Sequence, residues 1–102
     1  MSQLWLYGTL VIFMNQVVAK FRIFPKDVKA DFGELRKEIE RNLPANTSVY
    51  KYDEEPIAFG LTLLIAYILM PEEESGKIDD VERSIKELSD VSEVDVVSVR
   101  RI

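Results

Sequence analysis

Residues 61–70 read LTLLIAYILM and stop at Pro71. An amphipathic helix would show a polar stripe at helical spacing, and a half-exposed strand would alternate. This run does neither, so both of its sides are expected to be buried. Ten such residues could form a buried helix. A strand central in a sheet, apolar toward both faces, fits the position better.

Residues 17–24, VVAKFRIF, alternate cleanly. Val17, Ala19, Phe21 and Ile23 share one side, and Lys20 and Arg22 the other. Period two with β-branched and aromatic residues predicts a strand with one buried face, ended by Pro25. A short strand is expected over residues 49–53, VYKYD, and a last one over residues 94–99, VDVVSV.

Two helices separate these strands. Asp31 stands three residues before Glu34, the spacing of a capping box. Leu35, Ile39 and Leu43 then recur every four residues, with Phe32 beside them, and Pro44 closes the run. The same pattern places a second start at Asp79, with Glu82 three residues on. Ile78, Val81, Ile85 and Leu88 follow at helical spacing.

The order is strand, helix, strand, strand, helix, strand. Such a chain is expected to form an α+β ferredoxin-like sandwich, with a four-stranded antiparallel sheet and two helices on one face. The other face stays open. Lys20 and Arg22 suit it, but the run 61–70 is apolar there too, so something is expected to cover it. The N-terminal stretch, a second copy and a partner are the candidates.

Composition removes several functions. The 102 residues contain no cysteine and no histidine. Disulfides, thiolate metal sites and the usual general base are therefore absent. No nucleophile–base pair can be assembled, so an enzyme working by covalent chemistry is not expected. Thirteen basic residues against eighteen acidic ones give a net charge of -5. Direct nucleic-acid binding normally needs the opposite sign. The carboxylate pairs Glu54–Glu55 and Glu72–Glu74 read as solvated charge, and Asp79 and Asp80 as caps rather than ion ligands. No cofactor or metal is expected. The apolar stretch of residues 4–14 is too short to span a bilayer and lacks the marks of a signal peptide. A cytoplasmic location is expected.

One segment does not fit the usual division of labour. Residues 54–61 read EEPIAFGL. Proline and glycine mark a bend, yet the bend carries Ile57 and Phe59 where loops are usually polar. On general grounds an apolar loop phenylalanine is more often a core plug than a contact.

The words MNQVVAKFRIFPKD, YDEEPIAFGL and the terminal DVVSVRRI, in this order, resemble the archaeal elongation factor 1-beta family. The resemblance runs from about Met14 to Ile102. It implies a guanine-nucleotide exchange factor for the translation GTPase elongation factor 1-alpha, promoting GDP release so that GTP can bind. Phe59 would then be a wedge pushed into the GTPase near its nucleotide site, with Pro56, Ile57 and Gly60 shaping the bend. Arg101, with Arg100 as neighbour, would take the place of the family's basic residue that perturbs the Mg²⁺ and phosphate region. The free protein would be a monomer that binds neither nucleic acid nor membrane. Residues 14–102 would form the exchange domain. Residues 1–13 would be an apolar extension, arising from an upstream start or covering the sheet.

A different class of function fits the same topology. A ligand-sensing or oligomerising module of the ACT type would bury Phe59 and dimerise through its sheet. The exposure of Phe59 separates the two readings.

Overall fold

A computed structural model describes residues 16–72 and 76–102. Its elements are β1 (Gln16–Pro25), α1 (Phe32–Asn42), β2 (Ser48–Pro56), a single 3₁₀ turn (Ala58–Gly60), β3 (Thr62–Pro71), α2 (Lys77–Lys86) and β4 (Val91–Arg101). The four strands form one antiparallel sheet in the order β2-β3-β1-β4. This is the ferredoxin-like α+β arrangement expected from the pattern, and the run 61–70 is a strand in the middle of the sheet.

The core follows the parities of the two central strands. Val17, Ala19, Phe21 and Ile23 of β1 and Leu64, Ala66, Ile68 and Met70 of β3 face the helices. Leu35 and Ile39 of α1 and Val81 and Ile85 of α2 complete a single cluster, so both helices lie on one face of the sheet. Fully burying an aliphatic side chain stabilises a fold by about 1.5–3 kcal/mol, which makes this cluster the main source of stability.

The first helix starts as expected. The Asp31 carboxylate accepts hydrogen bonds from the Gly33 and Glu34 backbone N–H groups at 2.9 and 3.2 Å. The second helix does not. It begins two residues earlier, at Lys77, behind Gly76 at φ 86°. Asp79 and Asp80 therefore lie in its first turn, where negative charge suits the helix dipole, and Asp79 is not the cap. The left-handed Gly76 lets the chain turn into the helix without a capping side chain.

Two strands are longer than their alternation indicates. β2 continues through Glu54 and Glu55 to Pro56, and β4 spans eleven residues including both arginines. Edge strands tolerate polar residues on both sides, so alternation fades before pairing does. The pairs Glu54–Leu64, Glu55–Leu63 and Pro56–Thr62 carry β2 right up to the turn.

The open face is partly self-sealed. Leu63 and Ile65 point away from the helices, yet only 1% and 3% of their surface is exposed. Arg22, paired with Ile65 in the adjacent strand, is part of the cover. Its Nε is buried without a hydrogen-bond partner, while its end reaches Asp95 at 3.6 Å and lies 6.0 Å from the Phe24 ring. Long cationic side chains cover apolar surface in this way while keeping the charge wet. The extension of residues 1–13 and the loop residues Glu73 and Glu74 lie outside the described residues.

Candidate functional site

The β2–β3 connection is a tight hairpin loop. The Ile57 N–H donates to the Leu61 carbonyl at 2.8 Å, and the Leu61 N–H to the Ala58 carbonyl at 3.2 Å. Between them Phe59 (φ 60°, ψ 35°) and Gly60 (φ 74°) are both left-handed. Two successive positive φ values are the mark of a type I′ turn, which usually carries Asn-Gly. Glycine suits position 60 because of its positive φ and not for want of room, since a Cβ there would meet nothing within 4 Å. Phe59 is out of place by the same rule. A left-handed residue with a bulky side chain costs roughly 1–2 kcal/mol.

That conformation holds the Phe59 ring off the protein. The residue is 99% exposed. Ile57 beside it is 41% exposed, and Pro56 is exposed at the end of β2. These three residues of one short loop thus present an apolar tip.

A bracing network holds β2, the strand that leads into this loop. The Arg36 guanidinium on α1 donates to the Glu54 carboxylate at 3.1 Å and lies 5.3 Å from the Tyr52 ring. The Tyr52 hydroxyl donates to Glu40 at 2.9 Å. Burial and the nearby Glu40 carboxylate push the Tyr52 hydroxyl's pKa well above its ordinary value of 10.0. Glu54, read from sequence as loop charge, is therefore tied to a helix. No local signal predicts this, because the partners lie 18 and 12 residues apart.

The basic pair is built differently. Arg100 and Arg101 are strand residues, paired with Val18 and Val17 across the sheet. Successive strand residues point to opposite faces, so the two side chains leave β4 on different sides, while both residues border the cleft beside Glu72. Arg101 is ion-paired with Glu72, at the end of β3. It lines a cleft of about 540 Å³ whose walls include Val17, Met70, Pro71, Ile78 and Val99. Glu72, like Glu54, reads from sequence only as solvated charge, and the fold gives each an arginine partner. Arg100 has no carboxylate partner among the described residues.

The structure does not bring the loop and the basic pair together. Pro56 pairs with Thr62 at one end of the sheet, while Gln16 pairs with Pro71 and Val17 with Arg101 at the other. Nine rises along β3, at about 3.3 Å each, separate these ends by roughly 30 Å. Both cannot enter one nucleotide pocket side by side. Among the described residues no three acidic side chains are grouped to hold a metal, and no helix is long and apolar enough to cross a membrane.

An open-faced α+β sandwich with an exposed aromatic tip at one end and strand-borne cations at the other is a binding module. Comparison with known proteins is specific. Residues 18–102 match the family described as the EF-1 guanine nucleotide exchange domain, and the chain belongs to that family. Elongation factor 1-beta of Staphylothermus marinus is 39% identical over 89 residues, 87% of this chain and 99% of the relative. The Desulfurococcus amylolyticus and Thermofilum pendens proteins of the same name are both 42% identical, with coverage of 87% and 86% of this chain. The family's role, guanine-nucleotide exchange in translation elongation, is thus the role of this chain in broad terms. Among solved structures, the C-terminal domain of the MgtC protein from Mycobacterium tuberculosis shares the fold. Its TM-score is 0.59 at 14% identity, over 82% of this chain and 87% of that one.

Proposed function

We propose that this chain releases GDP from elongation factor 1-alpha so that GTP can bind, acting as a monomer and without covalent chemistry. The observation that carries the proposal is Phe59. An aromatic ring held almost fully in water, on a backbone that is costly for it, has no structural benefit within the chain. Such strain points to a contact made elsewhere.

The mechanism is differential binding. An exchange factor binds the nucleotide-free GTPase more tightly than the GDP-bound form, and by linkage each ligand weakens the other by the same factor. A thousandfold faster release needs a barrier lower by roughly 4 kcal/mol. A few desolvated side chains at an interface can supply that. Phe59, with Ile57 and the Pro56–Gly60 frame, forms the apolar anchor. Arg101, released from Glu72, brings a cation to the oxygens that otherwise hold Mg²⁺. The roughly 30 Å between them gives the interface two separate footholds on the GTPase.

The sensing-module reading requires a buried Phe59, and the exposed ring favours the wedge. The deciding experiment loads the GTPase with fluorescent GDP and chases with unlabelled GTP. Acceleration by the intact chain that collapses with Phe59→Ala supports the wedge. Acceleration that survives Phe59→Ala removes it, and no acceleration at saturating protein removes the exchange reading.

A further inference from the structure

The open sheet face holds a second cleft, distinct from the Phe59 loop. A cleft of about 400 Å³ there is lined by Val18, Lys20, Tyr67, Val97, Ser98 and Arg100. The pairing explains the assembly. Lys20 lies between Tyr67 on β3 and Ser98 on β4, and Val18 lies beside Arg100. Three strands thus contribute to one hollow on the side away from the helices.

Its chemistry is one-sided. The Lys20 ammonium is 5.7 Å from the Tyr67 ring centre, and the Lys51 ammonium, from β2, is 4.7 Å from the same ring. Arg100 adds another cation. Among the described residues no carboxylate lines the cleft. The acids nearest along the face are engaged elsewhere: Asp95 with Arg22 at 3.6 Å and Asp53 with Lys51 at 3.8 Å. Lys20 and Arg100 have no ion-pair partner among the described residues. Asp53 compensates Lys51, but Lys20 and Arg100 line one cleft and repel each other without a paired carboxylate among the described residues. An anion relieves that repulsion.

We infer that this cleft binds the phosphate of a single nucleotide. Lys20 and Arg100 pair with the phosphate dianion, and Ser98 and Tyr67, which also line the cleft, carry hydroxyls that can donate to it. The apolar walls of Val18 and Val97 take the nucleoside. The volume falls at the small end of the range of roughly 300–1,000 Å³ for ligand pockets, which suits one nucleotide rather than a strand. The inference stands on the cleft itself and does not rest on the exchange reading.

The test titrates guanosine monophosphate into the full ¹⁵N-labelled chain and follows amide shifts at constant ionic strength. Saturable shifts are expected at residues 18, 20, 67, 98 and 100. Lys20→Gln and Arg100→Gln should each weaken binding about tenfold, whereas Lys86→Gln, on α2 across the sheet, should leave it unchanged. Guanosine, which lacks the phosphate, should not bind. Shifts that fail to saturate, or that persist in both cleft variants, overturn the inference. So does tight binding of an oligouridine strand with none of the monophosphate. GDP release is measured separately, so loss of one activity does not imply loss of the other.

Discussion

Phe59 and Arg101 stand at opposite ends of the sheet, the first beyond the Pro56–Thr62 pair and the second across from Val17. The separation makes them independent footholds. Sites more than about 7–10 Å apart without shared partners usually act additively. The losses in GDP-release rate caused by Phe59→Ala and Arg101→Gln should therefore add, in logarithmic terms, in the double variant. A double-mutant cycle checks this. Strong coupling would mean that the two residues act on one element of the GTPase.

Phe59→Ala should slow stimulated GDP release at least tenfold, because a buried aromatic anchor at an interface is worth about 2 kcal/mol or more. Stability should barely change. The ring is 99% exposed and leaves no cavity when removed. Phe59→Gly should instead raise the melting temperature, since glycine accepts the left-handed backbone freely. Thermal unfolding of the two variants, beside the exchange assay, separates contact from strain.

Arg101→Gln and Arg100→Gln should differ. The two side chains leave β4 on opposite faces, and only Arg101 is paired with Glu72. Loss of exchange is expected for Arg101→Gln alone, with the stability change below about 1 kcal/mol that exposed ion pairs are worth. Equal losses in both variants would point to general positive charge rather than a placed cation.

Asp31→Ala removes both hydrogen bonds to the start of α1. Loss of such a cap costs about 1 kcal/mol. For a domain of this size that lowers the melting point by roughly 4–8 °C. Stimulated exchange at room temperature should be unchanged. Circular dichroism melts and the release assay are the two readouts.

Tyr52 should make the protein sensitive to alkali. Its hydroxyl is held protonated in the fold above its ordinary pKa of 10.0, by burial first and by Glu40 second. Below pH 10 the proton is bound in both folded and unfolded chains, and this stabilisation is fully present. Above pH 10 the unfolded chain loses the proton first, so stability falls as pH rises. Tyr52→Phe should flatten that slope. Urea unfolding between pH 9 and 11 measures it.

Much of this molecule is legible in its residues. The alternation of residues 17–24, the apolar run 61–70 and the four-residue spacing of Leu35 and Ile39 are local consequences of which faces must avoid water. They dictate strands, helices and the shared core, and the order of elements leaves few topologies. Ends were less legible. Helix α2 starts at Lys77 because a left-handed Gly76 replaces the side-chain cap that Asp79 suggested. Strands β2 and β4 run further than their patterns because edge pairing needs only backbone.

The candidate site divides along the same line. That residues 54–61 turn, and that Phe59 is an unusual passenger there, is written in the chain. Whether the ring is buried is not, because exposure depends on the φ and ψ that the β2–β3 pairing imposes on the turn. The partners Arg36–Glu54 and Arg101–Glu72, and the cations around Tyr67, are likewise products of tertiary structure. Each joins residues far apart in sequence, and only the strand register and the packing of α1 on the sheet bring them together. The chain alone determines which residues seek the core. The fold decides where the remaining charges and the unsheltered Phe59 ring are displayed.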